Sequence, residues 1–208
     1  MALAMDSKMN QARIDWRSLY FTLAAAVFIA AGTVEALVHR PWLGPDKKFG
    51  FWCGSIWSSE CSQRLADPYS FSHIVHGIVF YGLLWLCFRK ASVAARFLTS
   101  VVIECAWEVG ENLPFIIERF RAANAALGYE GDSIMNSLSD VVMMAFGFWI
   151  AWKFTPWKSL AAALVMEIGC ALWVRDNMTL QLAMLLHPIK AVQNWQNDAA
   201  PADIKAKM

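Results

Sequence analysis

Charge is what this chain has least of. Only 17% of its 208 residues are Asp, Glu, Lys or Arg, where an ordinary soluble domain carries roughly a quarter. The net charge is +1 and no basic patch stands out, so nucleic acid is not an expected partner. Also missing are the His-Glu-x-x-His of zinc proteases and the Glu-x-x-His of di-iron bundles. After the first apolar run, Leu37-Val38-His39-Arg40 offers no small-x-small cleavage pattern, so that run reads as an uncleaved span. Cysteine is scarce and divided. Cys87, Cys105 and Cys170 lie in apolar runs, where a small soft hydrophobe suffices as explanation. Cys53 and Cys61 share one polar loop; their spacing permits a bridge without demanding it.

What is abundant is apolar surface: 58% hydrophobic residues and eleven Trp. The long runs predict an all-α, polytopic membrane helix bundle. About five transmembrane helices are expected, near 18–38, 69–88, 93–112, 133–154 and 159–174, with six as the alternative. A C-terminal interfacial or re-entrant helix is expected over 178–189, too short to span comfortably. Residues 1–196 read as one domain, preceded in its first 16 residues by a polar stretch, and 197–208 as a disordered polar tail. The loop 39–67 holds Trp42, Phe49, Phe51, Trp52 and Trp57, which suit a bilayer interface. Residues 116–131 form a polar connection with room for a short amphipathic helix ending at Gly128. The short turn with Arg89, Lys90 and Arg96 contains no acid. By the positive-inside rule it faces the cytoplasm, as does the N-terminus, in a cell inner membrane.

Against that background ECAWEVGEN, Glu104 to Asn112, is anomalous. On a helix Glu104, Glu108 and Glu111 fall at i, i+4 and i+7, one face over about 10 Å of depth. Facing lipid, each would cost roughly 2.5–3.5 kcal/mol, so they must face partners. The other spans supply them. His73 and His76 are i, i+3; Asp132, Asn136 and Asp140 recur at i+4. All fall toward the same end of their spans, as do Glu35, Glu167 and Arg175, whereas the opposite halves hold no acid and no histidine. The pattern predicts a polar cavity open to the outer face above a dry plug.

Several chemistries fit these residue types. His73 and His76 are either general bases beside the glutamates or, with Glu108 and Glu111, ligands to a divalent metal, the one candidate cofactor. Glu104, Glu108 and Glu111 are ligands or proton acceptors, with Asn112, Asn136 and Asp140 orienting them. Arg175 is a candidate for an anionic head group, with Asp132 and Ser133 as further substrate contacts. The plainer alternative pairs the glutamates with Arg119, Arg121, Arg175 or the histidines as a structural lock, and makes Asp132 or Ser133 a helix cap.

At DPYSFSHIVHG, ECAWEVGENLPF, GDSIMNSLSD and RDNMTLQLAMLLHPIKAVQNWQ the chain resembles an uncharacterised family of bacterial multi-pass inner-membrane proteins. In layout, a His on one span, Glu on the next and Asp/Asn opening a third, it is loosely similar to VanZ-like membrane proteins. The first resemblance implies placement in the membrane and no reaction. Two functions follow from the residues: hydrolysis or acyl transfer on a membrane lipid or lipid-linked substrate, or a non-enzymatic transporter, cation-binding protein or assembly factor. Neither names a protein partner.

Overall fold

A computed structural model describes residues 15–123 and 129–206. The polar stretch expected before Asp15 and the helix end expected at Gly128 lie outside the described residues. The described residues are helical and contain no β-strand. The helices are α1 (Trp16–Leu37), α2 (Ser70–Cys87), α3 (Val93–Glu111), α4 (Pro114–Ala123), α5 (Ile134–Lys153), α6 (Pro156–Trp173), α7 (Met178–Leu186), α8 (Lys190–Asn197) and α9 (Ala202–Lys205). Residues 197–208, expected as a disordered tail, are described to 206 and include α9.

Local chemistry sets the helix starts. Ser92 caps α3 by accepting from Ala95 N at 3.1 Å, Ser133 caps α5 by accepting from Asn136 N at 3.2 Å, and Asn177 caps α7 through Leu180 N at 2.8 Å. α3 ends at Glu111, within one residue of the expected end, because Asn112 and Leu113 turn the chain into Pro114, which opens α4.

Three helices are long and apolar enough to cross a membrane: α1, α2 and α5. A fourth crossing arises if α6 and α7, bent by 70° at their junction, form one broken span. The expected five is therefore not reached on length and hydropathy. α3 falls short because Arg96, Glu104, Glu108 and Glu111 interrupt its apolar run. α6 qualifies only together with α7, which takes the expected short helix into the same broken element. The rim of the bundle is apolar all the same. Leu172 is 80% and Val165 71% exposed on α6, and Ile29 67% on α1. An apolar exterior around a polar interior is what a lipid environment selects.

The tightest packing is between α2 and α5. A Cβ built on Gly77 would overlap the carbonyl oxygen of Met144, and one on Gly147 that of Ile74. Two glycines facing each other's backbone let the helix axes approach as no larger pair would. The contact sets the register that carries His73 alongside Asp140. α3 packs against α1, α5 and α2 and completes the ring around the polar residues. Below them lies a dry core of Val101, Cys105, Val141, Met144 and Phe148, walled by Phe80, Tyr81 and Phe97. Arg96 is buried there, its guanidinium 5.6 Å from the centre of the Tyr81 ring.

The loop between α1 and α2 closes the polar end. Arg64 ties it together through Asp46 at 2.6 Å and Glu60 at 2.7 Å. The loop then hydrogen-bonds to the start of α5: Ser133 N donates to Ser62 O, Ile134 N to Pro41 O, and Asn136 Nδ2 to Arg64 O. Trp42, Phe49, Phe51 and Trp52 remain exposed on its outside, and Trp52 stacks on Trp173 of α6.

If the glycine contact sets the helix spacing, Gly77→Ala and Gly147→Ala each cost at least the roughly 1–3 kcal/mol typical of overpacked cores, because the obstacle is backbone. Thermal unfolding of the detergent-solubilised variants should show a large drop in Tm. Gly82→Ala, which meets nothing within 4 Å, should behave as wild type. Equal Tm values for all three would remove the contact from its role.

Candidate functional site

Both histidines of α2 converge on one carboxylate of α3. Glu104, 0% exposed, lies with Oε1 2.6 Å from His73 Nδ1 and 3.1 Å from His76 Nδ1; Oε2 is also 3.1 Å from His76 Nδ1. A carboxylate can only accept, so Nδ1 is the donor in each ring and Nε2 is the nitrogen left for other work. His73 Nε2 lies 3.8 Å from Asp140 of α5. No partner occupies His76 Nε2 among the described hydrogen bonds. The rings meet edge to face at 5.1 Å, and His76 stacks on Phe80 while its edge meets Trp107. Three aromatic or imidazole neighbours thus fix the plane of His76.

Asp140 belongs to a second chain of contacts. Ser70 Oγ donates to Asp140 Oδ1 at 3.0 Å and accepts from Asp67 N at 3.2 Å. Asp67, fully buried, in turn accepts from Ser62 N at 2.7 Å and Tyr69 N at 2.8 Å. Burial pushes the Asp67 carboxyl above its ordinary range. Asp67 and Ser70 were missed in the sequence. The available signal was an Asp-Pro step at the mouth of a histidine-bearing helix, with Asp67 closing an Asx turn onto Tyr69.

A separate group forms where α3 ends. Carboxylate oxygens of Glu108, Glu111 and Asp132 lie within 4.8 Å of one another, as do the ligand atoms of His73, His76 and Glu104. The expected ligand set of His73, His76, Glu108 and Glu111 is thus divided into two: Glu104 joins the histidines, while Glu108 and Glu111 join Asp132. Glu108 stays near the first group, its Oε1 3.3 Å from His73 Nδ1. Asn112 connects the pieces, donating through Nδ2 to Glu108 O at 3.1 Å and Ser137 Oγ at 3.0 Å and accepting from Asp132 N at 2.7 Å. The Tyr129 hydroxyl lies 3.1 Å from both Asp132 carboxylate oxygens. Burial pushes the Asp132 carboxyl up to about 6, with the charge of Asp67 adding to the rise.

The expected lock of glutamates by arginines is not formed. Arg40 donates to the backbone carbonyls of Asp132 and Glu130, Arg119 to those of Leu185 and Leu186, Arg121 to Tyr129 and Arg175 to Trp195. Arg175 also lies over the Trp195 ring and lines neither polar cavity. Glu167 serves its own segment, accepting from Met178 N, Thr179 N and Thr179 Oγ1 at the head of α7. Ser133 and Asn136 cap and anchor α5.

Two cavities meet at Ser62, Tyr69 and Tyr129. The inner one, about 40 Å³, is bordered by His73, His76, Trp107, Glu111, Asp132 and Asp140. That is room for roughly three waters or a hydrated ion. The outer one, about 440 Å³ between Arg40, Trp57, Gln63 and Gly131, is of ligand size.

Residues 36–198 match the family described as protein of unknown function (DUF2585). A UPF0314 protein of Rhizobium etli (strain CIAT 652) is 41% identical over 184 residues, 88% of this chain and 94% of the relative. One of Rhizobium meliloti (strain 1021) is 40% identical over 193 residues, covering 93% and 95%. One of Paracoccus denitrificans (strain Pd 1222) is 43% identical over 185 residues, covering 86% and 96%. None of these names carries the VanZ-like resemblance. No solved structure matches the chain.

Cys53 and Cys61 are free thiols in the loop over this site. The hydrogen-bonded Cys61 thiol draws the Cys53 thiol down to about 6, while Cys61 itself is pushed well up by Cys53 and by burial. A thiol made more acidic by a neighbouring thiol is the one that attacks when the pair is oxidised. Diamide treatment of the full-length protein should therefore give an intramolecular Cys53–Cys61 disulfide by peptide mass mapping, prevented by Cys61→Ser. Independent alkylation of both thiols after oxidation would contradict that adjacency.

Proposed function

This chain belongs to the family of proteins of unknown function DUF2585, and from that premise, which brings no reaction with it, we propose a membrane-embedded enzyme. It performs hydrolysis or acyl transfer on a lipid or lipid-linked substrate. The observation that carries the reading is the Glu104–His76 contact: Nδ1 fixed by a buried carboxylate, the ring plane fixed by Phe80 and Trp107, and the ring bordering the inner cavity with Nε2 free of a protein partner among the described hydrogen bonds. That is the arrangement of an oriented general base, with Glu104 holding the tautomer and opposing the charge that forms on the ring. His76 Nε2 takes a proton from water or a substrate hydroxyl. His73, gripped between Glu104 and Asp140, positions Glu104. Asn112 and Asn136 hold the helix ends in place, and the outer cavity, bordered by Arg40, Gln63, Tyr129 and Gly131, receives the substrate's polar portion.

Placement follows the charge pattern. The short turn with Arg89 and Lys90 stands at the end of the bundle opposite the site and contains no acid. This supports a cytoplasmic N-terminus in an inner membrane and a site in the outer half of the bilayer. Exposed Trp42, Phe49, Phe51 and Trp52 beside the mouth suit an interface where lipid substrates arrive.

The test is a deletion strain with its lipids profiled by mass spectrometry, complemented by His76→Asn, Glu104→Gln and Asp140→Asn at matched abundance. Deletion should change the lipid profile. The His76 and Glu104 variants should restore at most about 1% of the activity, the 10²-fold or more expected for loss of an acid–base group. An unchanged profile, or full restoration by both variants, would overturn the enzyme reading.

A further inference from the structure

We infer that Glu108, Glu111 and Asp132 form a binding site for one hard divalent cation, of the Mg²⁺ or Mn²⁺ type, distinct from the histidine–Glu104 group. The three carboxylates come from two separate parts of the chain, the end of α3 and the loop before α5, and present oxygens within 4.8 Å of one another. Like charges do not gather at that distance in a buried place without a compensating cation or protons.

No arginine makes an ion pair with these carboxylates among the described contacts; Arg40, whose charge is felt at Asp132, directs its donors to the backbone. Each arginine near this end, Arg40, Arg119, Arg121 and Arg175, donates to backbone carbonyls, and Arg64 is held by Asp46 and Glu60. The second, independent sign is Glu108 itself. It is 1% exposed, and its Oε1 has no hydrogen-bond partner. The one nitrogen near it, His73 Nδ1, is already directed at Glu104 at the shorter 2.6 Å. Glu35 adds a further buried carboxylate: it is 0% exposed, neither oxygen has a hydrogen-bond partner, and its neighbouring charges are Asp132 and Arg40. A buried acceptor without a donor costs its full desolvation penalty, which a cation would remove.

The donor set selects the ion. Three carboxylate oxygens with no sulfur or imidazole suit hard cations, which take oxygen ligands and keep several waters. The inner cavity, bordered by Glu111 and Asp132, has space for such water and opens past Tyr129 to the outer cavity. The surrounding contacts orient the ligands: Tyr129 on the Asp132 carboxylate, Asn112 on the Asp132 and Glu108 backbones, Arg40 on the Asp132 carbonyl. Gly131, at φ 84°, turns the chain so that Asp132 enters the group, and a Cβ there would meet Arg40.

The probe is Mn²⁺, followed by electron paramagnetic resonance on the full-length protein in detergent, with Mg²⁺ as competitor. One Mn²⁺ per chain should bind and be displaced by Mg²⁺. Glu111→Gln and Asp132→Asn should each weaken it at least about tenfold, and Tyr129→Phe by roughly 10–100-fold, as outer contacts to metal ligands do. His76→Asn should leave Mn²⁺ affinity unchanged, so this result stands apart from the acid–base reading. Circular dichroism melts establish that the variants are folded. No Mn²⁺ binding by wild type up to about 1 mM, the weak end for such sites, overturns the inference. So does unaltered binding in folded Glu111→Gln and Asp132→Asn, or loss of binding in His76→Asn.

Discussion

Everything at the polar end rests on how closely two backbones approach. With Gly77 against Met144 and Gly147 against Ile74, α2 and α5 touch without side chains between them. One turn along α2 from that contact is His73; one turn along α5 is Asp140. The meeting of imidazole and carboxylate is thus a by-product of helix register. The same register presents the other edge of α2 to α3, where Glu104 reaches both histidines. An apolar pair at 77 and 147 would separate the helices by the thickness of a side chain, and the carboxylates would lose their partners together.

The electrostatics have a simple division. Histidines hydrogen-bond Glu104 and flank Glu108, whereas the arginines that might have paired with the rest bind carbonyls at helix ends and loop crossings. In an apolar bundle this makes sense twice over. Unsatisfied carbonyls at the ends of α7 and α8 and in the loop before α5 are costly where water is scarce, and five-donor guanidinium groups satisfy them in pairs. The acids at the end of α3 make no ion pair with an arginine or lysine among the described residues. Structure and chemistry therefore use different residues: Arg40, Arg64, Arg119 and Arg175 hold the architecture, and Glu108, Glu111 and Asp132 are available to something that comes and goes.

Much of this was readable in the chain. The i, i+4, i+7 spacing of Glu104, Glu108 and Glu111 announced a shared face, and the histidine, aspartate and glutamate positions announced a shared end of the bundle. Helical periodicity is a local property, so it survives translation from sequence. Which carboxylate meets which histidine does not. That pairing depends on the azimuthal rotation of α3 against α2, set by packing with α1 and α5, and the residue spacing alone placed Glu108 and Glu111 where Glu104 stands. Length and hydropathy mark only three helices, or four with the broken α6–α7 pair, against the five expected, for a related reason. Hydropathy treats a charged residue as facing lipid, whereas α3 turns its acids inward among three other helices. The histidine helix begins at an Asp-Pro step whose importance was hidden, because the Asp67–Ser70–Asp140 relay links residues far apart in sequence through a loop with no periodicity.

The dry core under His76 has a consequence for exchange. Among the described residues no hydrogen bond joins the acidic and imidazole groups to the far end of the bundle, where Phe80, Phe97 and Phe148 belong to an apolar layer. Between Tyr69 and Tyr129 the inner cavity meets the outer one, which makes that passage a route to the polar groups. A bundle built this way has a blind well rather than a channel. Whatever enters from the outer cavity is therefore what the buried acids and histidines meet.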